Sequence, residues 1–92
     1  MSAKIEVEKI NVSLFCVRVV EGGSESSHQV TLDSKDHAKL AGSAVEPDEL
    51  IRKSFEFLLE REPKESILSR FDLSVISRYF PEYEREIKRR LL

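Results

Sequence analysis

The sequence predicts an α+β fold, an N-terminal antiparallel β-hairpin of two or three strands packed on four to five C-terminal helices. Three observations carry this. Apolar residues alternate with period two over residues 3–33, they recur with the helical period from residue 47 onward, and Gly or Pro stands at the joints. Strands first and helices afterwards argue against a βαβ sheet. Ninety-two residues make a single domain, 1–92, with a β-hairpin region at 3–33 and a helical region at 34–92.

In the first region Ile5 and Val7 alternate with Lys4, Glu6 and Glu8. Ile10, Val12, Leu14 and Cys16 then share one parity, while Phe15, Val17 and Val19 share the other. The change of phase near Glu8-Lys9 implies either a bulge in one strand or a turn between two. EGGSES (21–26) supplies two glycines for a hairpin loop. SHQVTL (27–32) returns as a one-sided strand, with His28, Val30 and Leu32 on one face and Ser27, Gln29 and Thr31 on the other. VSLFCV (12–17), in contrast, is apolar on both faces. Its second face therefore requires cover from helices, from the N-terminal segment or from another subunit.

Asp33 or Ser34 can cap a short helix at 34–41, which Gly42 ends. Pro47 suits the first position of the longest helix, 47–61, and Asp48 and Glu49 place negative charge in its first turn. Leu50, Ile51, Ser54, Phe55, Phe57, Leu58 and Leu59 fill an arc of roughly 200° on that helix, wide enough for contact from two sides. After Glu62-Pro63, KESILSRF (64–71) reads as a short helix with Ile67, Leu68 and Phe71 inward. Asp72 then caps a second one carrying Leu73, Ile76 and Phe80. Pro81 opens the last helix, where Tyr83, Ile87 and Leu91 form a narrow stripe and Glu84–Lys88 and Glu86–Arg90 stand four residues apart.

The composition limits the function classes. Net charge is −2, with local sums of −2, −2 and +2 over residues 1–33, 34–62 and 63–92, so no strong global pull toward nucleic acid or membrane exists. One cysteine, Cys16, excludes an intramolecular disulfide and suits a reducing cytoplasm. No signal peptide is expected, and no apolar run reaches the ~18–20 residues of a membrane span.

Candidate sites are few. Residues 64–80 have the outline of a helix-turn-helix, but the second helix would begin Asp72-Leu73-Ser74-Val75, where base-reading side chains belong. The basic tail Lys88, Arg89 and Arg90, together with Arg78, offers phosphate contacts, while Arg70 and Arg78 flank Asp72 as an ion-pair cluster or a partner anchor. His28, His37 and Cys16 lack metal-ligand spacing, so no metal or cofactor is expected. Gly22-Gly23 precedes a strand and is not a phosphate loop. With no nucleophile, base and orienter in view, an enzyme is not expected.

The run SFEFLLEREPKESILSRFDLSVISRYFPEYE (54–84), preceded by VTLDSKDHAKLAG (30–42), resembles a family of small bacterial proteins of about this length that have no assigned function. The resemblance implies a bacterial cytosolic origin and supplies no catalytic residue, cofactor or partner. Together these readings predict a non-catalytic protein-interaction or regulatory module, partnered by another protein or by itself as a homodimer. The alternative is a nucleic-acid-binding regulator using 64–80 and the basic C-terminal helix, with Arg70, Arg78, Lys88, Arg89 and Arg90 as its contacts.

Overall fold

The computed structural model describes residues 3–42 and 44–92. It is α+β, with strands β1 (Lys4–Lys9), β2 (Leu14–Glu21), β3 (Ser24–Thr31) and β4 (Arg70–Asp72), and helices α1 (Ser34–Ala41), α2 (Pro47–Leu59), α3 (Val75–Tyr79) and α4 (Tyr83–Arg90). A 3-10 turn covers Lys64–Ser66. The four strands form one sheet in the order β1-β2-β3-β4. The first two pairings are antiparallel and β3–β4 is parallel.

The phase change at Glu8-Lys9 is a turn. Asn11 Oδ1 accepts from the Ser13 and Leu14 N–H groups at 3.0 Å each, a side-chain turn that ends β1 and restarts the chain as β2. Ile10 and Val12, expected in the strand, therefore sit on a loop, Val12 being 84% exposed. The second turn is tighter than EGGSES suggested. Gly22 and Gly23 have φ of 59° and 82°, the left-handed pair that a two-residue hairpin needs, so β3 already starts at Ser24.

Parity in the hairpin is as expected. His28, Val30 and Leu32 are buried, and Ser27, Gln29 and Thr31 are exposed. Within the chain only one face of β2 is fully covered. Phe15, Val17 and Val19 are buried against the helices, whereas Leu14, Cys16 and Val20 face the other way and are only partly buried. Arg18 pairs with Glu6 and with Glu25 (3.6 Å) across three adjacent strands, and Lys4 reaches Glu6 at 3.1 Å. The helices lie on the opposite face, so Leu14, Cys16 and Val20 share this one with the ion-pair network and stay partly exposed.

The largest correction concerns residues 64–72. In place of a helix, Lys64–Ser66 makes one 3-10 turn and Arg70–Asp72 makes a strand, so the hairpin becomes a four-stranded mixed sheet beside four α-helices. Ile67, Phe71 and Leu73 are buried and Leu68 is exposed. From Arg70 to Leu73 the alternation is that of a strand, and the helical stripe Ile67-Leu68-Phe71 fails at Leu68. The backbone decides it. Gln29 N–H donates to Ser69 O (2.8 Å) and Leu73 N–H to Thr31 O (2.9 Å), satisfying the edge of β3 that a hairpin alone would leave open.

The helices lie on the inner face. Asp33 Oδ1 caps α1 by accepting from Asp36 N–H (2.8 Å), and Gly42, at φ 71°, closes it. α2 starts at Pro47 and buries Leu50, Ile51, Ser54, Phe55, Phe57 and Leu58. It meets β1, α1 and α4, which is why its apolar arc is wide. Within this core the Ser54 hydroxyl donates to Leu50 O (2.7 Å) and accepts from the Tyr83 hydroxyl (2.6 Å). Every polar atom of that pair is thereby satisfied in an apolar setting. At the far end of α2, Arg61 lies over the Phe57 ring (3.6 Å to the centroid) and pairs with Glu82 (3.1 Å), while Arg90 pairs with Glu60 (2.6 Å). The expected pairs within α4 do not form. Glu84 pairs with Lys39 of α1 and Glu86 with Arg89, so one of them ties two helices together.

Burial pushes the Tyr83 phenol well above its ordinary value of 10.0, against a smaller opposing effect from Ser54. The folded state keeps a proton that the unfolded chain releases. The associated stability is complete below pH 10.0 and declines as pH rises further. Tyr83→Phe is expected to cost about 1 kcal/mol at neutral pH and to flatten this alkaline decline, as measured by urea unfolding at a series of pH values.

Candidate interaction surface

One buried side chain holds the start of β4. His28, on the inner face of β3, places Nδ1 2.8 Å from Leu68 O and Nε2 2.8 Å from Ser26 Oγ. A carbonyl only accepts, so Nδ1–H donates to Leu68 O, and Nε2 shares a hydrogen bond with the Ser26 hydroxyl. The ring packs on Phe55 with centroids 5.3 Å apart, and Phe55 in turn meets Phe71 at 6.0 Å. His28 therefore fixes the Leu68 backbone, and the next residue, Ser69, begins the parallel ladder. Just upstream the Lys64 side chain is buried and its ammonium reaches Glu65 (2.6 Å), a charge at the surface end of a covered apolar stem.

The other end of β4 is held by Asp72. Thr31 Oγ1 donates to one carboxylate oxygen (2.6 Å), and Ser74 N–H (3.1 Å) and Ser74 Oγ (2.6 Å) donate to the other. Desolvation raises this carboxyl, but the Ser74 and Thr31 donors outweigh it and hold Asp72 below its ordinary value of 3.8. The expected cluster of Arg70 and Arg78 around Asp72 is not formed. With Phe71 inward, Arg70 and Asp72 share the outer face of the sheet, but Thr31 and Ser74 take the carboxylate and no ion pair joins it to Arg70.

Fixing Leu68 and Asp72 shapes the surface between them. A groove of about 400 Å³ opens between the end of α2, the 64–72 segment and α3. Leu58, Ile67, Phe71 and Ile76 are its buried lining residues, with Val75 and Phe80 partly exposed. Glu62 and Ser66 are its polar members. Leu68 and Tyr79, 48% and 67% exposed, also line it. Such a surface binds by removing apolar area from water, at about 25 cal/mol per Å², and Tyr79 adds a hydroxyl to a rigid ring.

The five basic residues expected as contacts are dispersed. Arg70 faces away from the helices, Arg78 is exposed on α3, and Lys88, Arg89 and Arg90 lie on α4 in the helical layer. Arg89 is paired with Glu86 and Arg90 with Glu60. The helix pair that the helix-turn-helix reading needs is absent from 64–80, whose only α-helix is the five-residue α3. His28, His37 and Cys16 are also apart in function. His37 Nε2–H donates to Val45 O, and Cys16 lies on the outer sheet face. Among the described residues no helix is long and apolar enough to cross a membrane.

Leu68 and Tyr79 were not recognisable as surface anchors, because an apolar residue beside a helical stripe is read as core. The available signal was parity. Placing Ile67, Phe71 and Leu73 inward leaves Leu68 outside. Compared with family models, curated proteins and solved structures, the chain finds no match.

His28→Ala is expected to cost about 2–4 kcal/mol, from a lost buried ring and two lost hydrogen bonds. It should also speed amide exchange at Gln29 and Leu73 more than at Val17. For Asp72, a depressed folded value means stability that is present above 3.8 and lost as pH falls through the folded value. Asp72→Asn should therefore shrink the acid-induced drop in the urea midpoint.

Proposed function

We propose that this chain is a non-catalytic protein-interaction module of the bacterial cytoplasm. In this reading the groove between α2 and α3 receives apolar anchor residues of a partner protein. The observation that carries the reading is the pair Leu68 and Tyr79, two large apolar side chains held in the open at one apolar groove. Single exposed apolar residues are ordinary, but two of them bordering one apolar groove with a polar rim make the kind of patch that marks an interaction site. Their positions are also expensive to hold. His28 fixes the backbone of Leu68, and Tyr79 stands on a helix whose Ile76 is buried. The bacterial and cytoplasmic setting rests on the resemblance of residues 54–84 and on the single cysteine.

A second class of function, nucleic-acid binding through 64–80, has lost the helix pair that motivated it. The test separates the two. Tagged wild type, Leu68→Asp and Tyr79→Asp chains are passed through native extract with and without nuclease. A protein bound stoichiometrically to wild type in both conditions, and weakened at least tenfold by either substitution, supports the groove. Binding that disappears with nuclease, or that ignores both substitutions, removes it. Circular dichroism of both variants should match wild type, since Leu68 and Tyr79 contribute little to the core.

A further inference from the structure

The sheet has an edge that the groove does not involve. Ile10 N–H donates to Leu14 O (2.8 Å), which fixes the alternation of the β1–β2 ladder. Even residues Lys4, Glu6 and Glu8 exchange bonds with Val20, Arg18 and Cys16. The N–H and C=O groups of Ile5, Val7 and Lys9 therefore point away from the sheet, because β1 is its outermost strand. One of these groups is occupied, as Arg52 of α2 donates to Ile5 O at 2.6 Å. A groove of about 460 Å³ runs along this edge, with Arg52 and Glu56 of α2 in its wall. An open ladder edge beside a helix is the geometry that accepts an added strand.

We infer that the added strand is β1 of a second copy, antiparallel across a twofold axis centred on Ile5, giving a continuous eight-stranded sheet. The charge pattern selects both the occupant and the register. Lys4, Glu6 and Glu8 share the outer face, and Ile5 and Val7 the inner one. Centring on Ile5 sets Lys4 of each copy opposite Glu6 of the other, at two symmetric positions, and sets Ile5 against Ile5. Centring on Glu6 opposes Glu6 to itself between two Lys4–Glu8 pairs, and centring on Val7 opposes Glu6 to Glu8 twice, so only the Ile5 register brings opposite charges together without a like pair. Like charges directly across a ladder are destabilising and opposite ones stabilising. On pairing, the Ile5 carbonyl exchanges the Arg52 guanidinium for the Ile5 N–H of the other copy, and Arg52 turns to Glu49, 3.7 Å away. Val7 N–H meets the Ala3 carbonyl. This surface is separate from the α2–α3 groove and does not depend on it.

Sedimentation velocity of the full chain over a range of concentrations should show a reversible monomer–dimer equilibrium. A wild type that stays monomeric at about 1 mM, the weak end of specific association, overturns the inference. Val7→Pro keeps every bond to β2, since the Val7 N–H faces outward, and should abolish the dimer. A Val7→Pro chain that folds and still dimerises overturns the inference. The charges give a second test that does not rely on proline. Lys4→Glu and Glu6→Lys should each weaken self-association roughly tenfold or more. An equimolar mixture of the two variants should recover it. In the mixed dimer the two substituted positions face each other with opposite charge, and the unchanged Lys4 of one chain faces the unchanged Glu6 of the other. No recovery in the mixture overturns the register and the inference with it. Leu68→Asp should dimerise like wild type, so failure here and failure of the groove are told apart.

Discussion

Burial of α2 against the inner face of the sheet is the constraint on which the rest of the structure depends. One helix of thirteen residues presents six buried positions, and its neighbours are a strand on one side and two helices on the other. A polar residue in the middle of such a face would normally be a liability. Ser54 is tolerated because its hydroxyl serves Leu50 O and Tyr83 together, and Tyr83 in return anchors the first turn of α4. The same helix orients Phe55 toward His28 and Phe57 toward Tyr83 and Phe80. Its two aromatic residues thus reach both halves of the C-terminal segment.

From that centre the segment 64–80 is pinned at a few points and shaped by them. His28 holds Leu68 by its carbonyl, the β3 ladder holds Ser69 and Leu73, and Thr31 with Ser74 holds Asp72. A three-residue strand has little stability of its own. Its persistence follows from side chains at both ends that convert a loop into sheet. The exposed Leu68 and Tyr79 are consequences of this pinning. With Ile67 committed inward, Leu68 turns out, and Tyr79 stands at the C-terminal end of α3, past the buried Ile76.

The two surfaces discussed above differ in chemistry. The groove offers apolar side chains with their backbone already bonded, and discriminates by shape. The β1 edge offers backbone groups, guarded at Ile5 by Arg52, and discriminates by the order of charges along KIEVEK. A small domain can carry both because they use different stretches of α2, Leu58 for the groove and Arg52 and Glu56 for the edge. Strand addition leaves α3 untouched, and a ligand between α2 and α3 leaves β1 free.

What the sequence determined was local. Period-two alternation assigned His28, Val30 and Leu32 to one face, the Gly pair marked the hairpin, Asp33 and Gly42 bracketed α1, and Pro47 opened α2. Each depends on residues within a few positions of one another, where sterics and capping act directly. What tertiary structure decided was every feature that joins distant residues. Ile67-Leu68-Phe71 fits a helix turn or a strand equally well by spacing, and only β3, some forty residues earlier, settles it by offering bonds to Ser69 and Leu73. Asp72 looks like a helix cap, and Arg70 like its partner, until Thr31 and Ser74 take the carboxylate. Leu14, Cys16 and Val20 look like a second buried face, yet the helices all pack on the other one and leave these three partly exposed. A pattern along the chain records which residues avoid water, whereas the hydrogen bonds and ion pairs that choose among its folded forms are made across space.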